Sequence, residues 1–182
     1  MSPAFSRLYN GEIVSIGYQR VNCHMLFDVK MKYFWLKARL VAGGHVINPP
    51  STITYISVVL KYTIRVALTL AALNDLPVKL VYIQNSYIMA HVTEKIWIFL
   101  GQKFGEYSGS KAIVVFALYG LNISGYAFWN HLVDCMHHLV FLPCPVDLDI
   151  WMKPMVRPDD GFKYYAYVLI YVDDVVVIHC DA

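Results

Sequence analysis

Charge is what this chain has least of. Asp, Glu, Lys and Arg make up 15% of its 182 residues and the net charge is +2, so no global basic field announces a nucleic-acid partner. Cysteine is also sparse. Cys23, Cys135, Cys144 and Cys180 lie far apart with no CxxC pair, which argues against a disulfide frame or zinc knuckle and for a reducing, intracellular compartment. The N-terminal MSPAFSRLYNGEIV lacks the apolar core of a signal peptide. Internal repeats and low-complexity linkers are missing as well. Hydrophobic residues nevertheless reach 58%, above the usual range for a soluble domain, which raises the question of a membrane span. The longest uncharged stretch, Ala112–Asn130, is long enough for one. It carries Gly120, Asn122, Ser124 and Gly125 and reads better as strand, turn and helix start, so no membrane association is expected.

The length suits one domain with a sizeable core. The few charges are unevenly spread: residues 1–39 hold Arg7, Arg20, Lys30, Lys32, Lys37 and Arg39 against Glu12 and Asp28, six bases to two acids. The most informative stretch is Tyr164–Cys180, YYAYVLIYVDDVVVIHC. Tyr164 to Val172 and Val175 to Cys180 are uncharged and rich in β-branched and aromatic residues, so they read as two strands covered on both faces. Asp173 and Asp174 sit between them. At ~5 Å and an effective dielectric near 20, like charges repel by roughly 3 kcal/mol. Solvent at an exposed hairpin turn would reduce that repulsion, and a divalent cation would reverse its sign. Oxygen-only ligands suit Mg²⁺ or Mn²⁺. The residues alone leave two readings, a solvated Asp-Asp hairpin turn and a cation site; the usual two-residue turn prefers Asn-Gly or Asp-Gly, which moves the balance towards the second without closing the first.

Periodicity supplies the other elements. Thr63–Asp75 is a helix, with Ile64, Ala67, Leu68, Ala71 and Ala72 at helical spacing. Ser124 is an N-cap for a second helix, Gly125–Val140. Short strands are expected at Gly17–Val21, Met31–Leu36, Val78–Ile83, Val92–Leu100, Lys111–Leu118 and Ile150–Val156. Lys37–His45 is a basic strand running into a Gly-Gly turn. Loops are expected at Asn48–Ser51, Gly101–Gly109 and Pro143–Asp149, and Arg157–Gly161 is a solvated turn holding Asp159 and Asp160. His131, Cys135 and His138 share a helix face, but three ligands from one helix rarely converge on zinc without a partner, so packing is the better reading.

Tyr171-Val172-Asp173-Asp174 resembles the catalytic YVDD box of reverse transcriptases. With the run before it, YAYVLIYVDD, it is similar to the Ty1/copia class of retrotransposon. Further segments match in the family's order. Lys37–His45, KARLVAGGH, resembles a fingers motif whose basic residues hold the incoming triphosphate; a planar guanidinium suits that task, so the resemblance implies Arg39 first and Lys37 second. Tyr55–Val58 matches a Tyr-x-x-Val segment that precedes a helix. Ile83-Gln84-Asn85-Ser86-Tyr87-Ile88 resembles a loop whose aromatic lies under the nucleotide sugar, which implies that role for Tyr87. Tyr119 and Gly120 match a tight turn that approaches primer and nucleotide. Two positions depart from the family. Tyr82 stands where the third catalytic carboxylate is expected, and Asn122 stands where the turn carries Lys.

The resemblance implies an α+β fold: reverse-transcriptase fingers and palm, an antiparallel palm sheet backed by helices, and the catalytic hairpin near the C-terminus. It implies a single partial domain over residues 1–182, about 1–75 fingers-like and about 76–182 palm-like with some interleaving. The implied activity is RNA-directed DNA polymerisation, a nucleotidyl transfer with Mg²⁺ or Mn²⁺ at Asp173 and Asp174. The implied partners are an RNA/DNA template-primer, a dNTP and the other parts of a Gag-Pol polyprotein. Thumb, connection, RNase H, protease and integrase parts lie outside the resemblance. Polymerases of this type use two metal ions. Adjacent strand residues point to opposite faces, so a further carboxylate must come from a neighbouring strand. Tyr82 cannot supply it, because a phenol with pKa of about 10 is a poor ligand at neutral pH. Impaired catalysis is therefore expected. The alternative is a non-catalytic remnant or repurposed domain that binds nucleic acid or protein.

Overall fold

The computed structural model describes residues 4–8, 12–31, 34–44 and 57–181. His45, Asn48–Ser51 and Tyr55, which carry parts of the expected turn, loop and Tyr-x-x-Val segment, lie outside the described residues. The chain forms two compact units, each of two segments. The first comprises Met1–Tyr55 and Tyr87–Phe128, the second Ile56–Ser86 and Trp129–Ala182. The fold is mixed, with antiparallel sheets and few helices.

In the first unit, β1 (Phe5–Arg7), β2 (Gln19–Val21), β6 (Ile96–Phe99) and β7 (Lys111–Val114) make a four-stranded sheet in the order β1-β7-β6-β2. All pairs are antiparallel except β2 with β6. The two-residue period of a strand is plain in IWIF. Ile96 and Ile98 are buried with Val21, Leu100, Ala112 and Val114, while Trp97 and Phe99 turn outward under the guanidinium of Arg20. Two expected strands come out shorter. Val92–Leu100 is strand only over Ile96–Phe99, and Lys111–Leu118 only over Lys111–Val114, because the short neighbours β1 and β2 pair with no more of them. The expected strand Gly17–Val21 begins at Gln19, since Gly17 has φ +93° in a turn.

A separate two-stranded ribbon pairs β3 (Cys23–Lys30) with β4 (Trp35–Ala42). It replaces the strand expected at Met31–Leu36. Met31 and Phe34 lie in the turn region, Phe34 has φ +52°, and the ladder closes at Lys30 and Trp35. Within Gly101–Gly109, residues Gln102–Tyr107 form 3₁₀ turns.

In the second unit, β5 (Val78–Tyr82), β8 (Leu142–Cys144), β9 (Asp147–Val156), β10 (Lys163–Tyr171) and β11 (Asp174–Ile178) form an antiparallel sheet ordered β5-β11-β10-β9-β8. The central strands carry the apolar runs noted in the sequence: Ala166, Val168, Leu169, Ile170 and Ile178 are buried. The edge strand β5 is exposed along its whole length. Pro154 pairs with Tyr165 of β10, but β8 has already ended opposite Met152. The missing N–H therefore falls where β9 has no second neighbour.

Helix α1 (Lys61–Leu73) packs Ala67 and Ala71 into this unit's core. It starts and stops two residues earlier than Thr63–Asp75. At its start the Asp147 carboxylate accepts the N–H of Leu60. At its end Asp75 takes φ +51° and Leu76 N–H reaches back to Ala71 C=O, the hydrogen-bonded closure of a helix in which the next residue is left-handed. Helix α2 (Ser124–His138) contributes its first residues, to Phe128, to the first unit and the rest to the second. It ends before the expected Val140 for the same reason: Val140 has φ +61°, and Phe141 N–H bonds Met136 C=O. Ser124 is the first helical residue and not a cap before Gly125, because its hydroxyl donates to Leu118 C=O. The expected loop Pro143–Asp149 is instead β8 and the start of β9. Its acids are buried: Asp149 accepts from Trp129 Nε1, and Asp147 accepts from Asp149 N–H and Leu60 N–H. The turn with Asp159 and Asp160 is exposed, Asp160 accepting from Phe162 N–H and Arg157. No helix among the described residues is long and apolar enough to cross a membrane.

Candidate active site

The expected site residues fall into two groups, one in each unit. In the second unit the β10–β11 hairpin turns over two residues, Val172 and Asp173, closed by the pair Tyr171 and Asp174. Asp173 is therefore a half-buried turn residue and Asp174 the exposed first residue of β11. Val172 has φ +57°. A β-branched residue there costs about 1–3 kcal/mol, so the two carboxylates sit on a strained turn. Among the described residues neither carboxylate has a hydrogen-bond or ion-pair partner. Both oxygen sets are thus available to a hard cation.

Strand β5 runs alongside. Tyr82 is the register partner of Asp174, and the N–H of Ile83 donates to the carbonyl of Asp173 at 2.8 Å. Directly opposed residues in an antiparallel pair have Cβ atoms about 4.5–5.5 Å apart. Position 82 is accordingly where a side chain on the neighbouring strand can stand beside Asp174, and a phenol occupies it. Tyr82 is 49% exposed, so its ring lies on the sheet edge and does not fill a closed cavity. Among the described residues the hairpin turn thus presents two neighbouring carboxylates, donors of the kind a hard divalent cation takes, with a phenol on the adjacent strand.

In the first unit four of the expected residues come together. Arg39 lies over the Tyr119 ring at 5.9 Å, and the rings of Tyr119 and Tyr87 are 4.8 Å apart. Tyr87 in turn meets Phe128 edge-on at 6.1 Å. This stack is held by backbone. Ala42 N–H donates to Tyr119 C=O at 2.7 Å and Gly44 N–H to Gly120 C=O at 3.2 Å. Gly120 has φ +89°, and a Cβ there would run into the carbonyl of Ala42 and the Cγ1 of Val41. Likewise a Cβ on Gly44 would meet the carbonyl of Gly120. The approach of the two backbones therefore requires glycine at both positions. Lys37 shares the Arg39 face of β4 two residues earlier and pairs in register with Asp28. Asn122 directs its amide to the carbonyl of Gly44.

Cys135 and His131 approach to 3.9 Å, but His138 bonds the carbonyl of Asp134 in its own helix. One group escaped the sequence reading. The potential ligand atoms of His179, Cys180 and Asp181 lie within 4.8 Å of one another. The consecutive His-Cys-Asp was its only sequence signal, hidden because adjacent residues in an extended chain would diverge.

A family model described as reverse transcriptase (RNA-dependent DNA polymerase) matches residues 12–182. No curated protein and no solved structure matches the chain.

Proposed function

The chain belongs to the reverse transcriptase (RNA-dependent DNA polymerase) family, of Ty1/copia type, and from that premise we propose that it is the fingers-palm part of such a polymerase with a catalytic centre impaired at Tyr82. The family implies a template-primer partner and the use of divalent metal. In this reading Asp173 and Asp174 are the surviving catalytic carboxylates and hold Mg²⁺ or Mn²⁺ weakly. When bound, such an ion stabilises charge on the transferring phosphoryl group. Arg39, with Lys37, binds the dNTP triphosphate. Tyr87 lies against the sugar, and Tyr119 and Gly120 form the turn near primer and nucleotide. Residues of about 1–75 are fingers-like and those of about 76–182 palm-like, with interleaving.

One observation carries the proposal: Tyr82 and Asp174 are cross-strand partners beside the hairpin turn. The position best placed to complete the carboxylate set is filled by a side chain that stays neutral at physiological pH. The Arg39–Tyr119–Tyr87 stack supports the nucleotide part, since it joins one guanidinium to two aromatic faces. A second reading, a non-catalytic domain that binds nucleic acid or protein, is favoured by Asn122, whose neutral amide is turned to backbone.

The test pairs two measurements on one RNA template annealed to a DNA primer. Titration at several salt concentrations is expected to show binding that weakens with salt. Extension with dNTP and either Mg²⁺ or Mn²⁺ is expected to yield no product. Extension would overturn the impaired centre, and absence of binding would overturn the polymerase-type substrate.

A further inference from the structure

Past the last ladder pair of the β10–β11 hairpin, Tyr167 with Ile178, the chain continues through His179, Cys180 and Asp181. These side chains converge. His179 Nδ1 lies 3.7 Å from Cys180 Sγ and 3.9 Å from an Asp181 carboxylate oxygen, and the three potential ligand atoms lie within 4.8 Å of one another. Metal–ligand bonds of about 2.3 Å to sulfur and about 2.0–2.1 Å to nitrogen and oxygen, at tetrahedral angles, place the ligands about 3.6 Å apart for S and N and about 3.4 Å for N and O. The His179–Cys180 separation matches this spacing to about 0.1 Å and the His179–Asp181 separation exceeds it by about 0.5 Å, so the carboxylate must swing inward to close the set. We propose that His179, Cys180 and Asp181 bind a zinc ion, with water in the fourth position, at the end of the hairpin opposite Asp173.

The donor set selects the metal. Thiolate and imidazole favour zinc over the hard cations that suit a pair of carboxylates. The surroundings are prepared for it. The N–H of Asp181 donates to His179 Nδ1 at 2.9 Å, so in this geometry the nitrogen acts as an acceptor; the cation replaces this donor. The hydroxyl of Tyr164 donates to Cys180 Sγ at 2.9 Å, and a thiolate accepts that bond better than a thiol does. Tyr164 is buried, and its oxygen also accepts the N–H of Cys180 at 3.3 Å, which holds the hydroxyl against the sulfur. Zinc binding releases the Cys180 proton to solvent. The ion fixes the path of the chain where it leaves the sheet, a point also held by Tyr164 of β10 and by the His179 N–H on the Pro77 carbonyl.

The test uses the whole chain, stripped with a chelator and titrated with Co²⁺ and then Zn²⁺. The expected result is one equivalent of Co²⁺ with a thiolate-to-cobalt charge-transfer band, bleached by Zn²⁺ and unaffected by excess Mg²⁺. Cys180→Ser should lose the band, and His179→Ala and Asp181→Asn should each weaken Co²⁺ binding at least about tenfold. Cys135→Ser should behave as the parent, which separates this site from the His131–Cys135 pair. In the unaltered protein Zn²⁺ should shield Cys180 from alkylation, read by mass spectrometry, so the outcome does not depend on any variant folding. A parent without the band, a band that survives Cys180→Ser, or a Cys180 alkylated equally fast with and without Zn²⁺ would each overturn the proposal.

Discussion

Replacing Tyr82 by Asp is the most direct probe of the centre. The new carboxylate would face Asp174 across the β5–β11 ladder. Without metal the change should cost stability in three ways. About half of the tyrosine surface is in water, so the apolar burial lost is at most about 100 Å², or ~2 kcal/mol as an upper bound. No sealed void is left, because the ring is half exposed at the sheet edge. Aspartate is a poorer strand former than tyrosine by up to about 1 kcal/mol. Two like charges directly opposed add up to about 1 kcal/mol at an exposed edge. The total is about 2–4 kcal/mol, or roughly 4–16 °C in melting temperature for a chain of this size. A divalent cation removes the repulsion and gains a ligand, and at a hundredfold excess over Kd it returns about 2.7 kcal/mol. Thermal melts with chelator and with Mn²⁺ should therefore differ much more for Tyr82→Asp than for the parent. Calorimetry or paramagnetic broadening should show Mn²⁺ bound at least about tenfold more tightly, ~1.4 kcal/mol. Tyr82→Asn, with no added charge, should show little of either effect. A folded Tyr82→Asp protein that binds Mn²⁺ no better than the parent would refute the reading of this site as a broken two-metal centre.

Arg39→Ala should weaken dNTP binding by ~1.5–3 kcal/mol, as loss of a charge-assisted contact does; an unchanged titration would remove Arg39 from the site. Gly120→Ala should destabilise the first unit by more than about 2 kcal/mol, because Cβ meets the Ala42 carbonyl and φ is positive; thermal melts read this directly. Val140→Gly should raise stability by about 1 kcal/mol by removing a β-branched residue from φ +61° at the end of α2; a fall in melting temperature would contradict it. Burial pushes the Cys23 thiol up from the ordinary 9.0 to about 11. Its folded pKa lies above the unfolded one, so the associated stability is present below pH 9 and is lost as pH rises through 11. Alkylation of Cys23 at pH 8 should run about a hundredfold slower than that of an exposed thiol.

Where local pattern and tertiary partner agree, the sequence was readable. The hairpin turn at Asp173, the body of α1 and the strand expected at Val78–Ile83, which ends one residue sooner at Tyr82, follow from apolar runs broken by charge or turn residues. The ribbon strand Cys23–Lys30 did not show itself. Its residues CHMLFDVK alternate weakly because Leu26, Phe27 and Val29 are all well exposed, and a strand without a buried face leaves no two-residue signature. Asp147 and Asp149 look like loop acids in the sequence because their burial depends on Leu60 and Trp129, far away along the chain. Helix ends at Asp75 and Val140 were missed by about two residues because neither is a glycine, the usual sign of a left-handed closure. Tyr82 was legible as a departure from the family. Its pairing with Asp174 required the sheet register.

The segments of the two units alternate along the chain, and this constrains the order in which the protein can fold as it is made. Strand β1 at Phe5–Arg7 has no ladder until β7 at Lys111–Val114 has left the ribosome. Strand β5 waits for β11, the last strand of the sheet. Neither unit can close from its first segment alone, and closing such long loops is slow. During synthesis Val78–Tyr82, like Phe5–Arg7 before it, therefore stands unpaired until its distant partner is made, so growth temperature and chaperone supply, as well as the stability of the finished fold, will bear on the soluble yield.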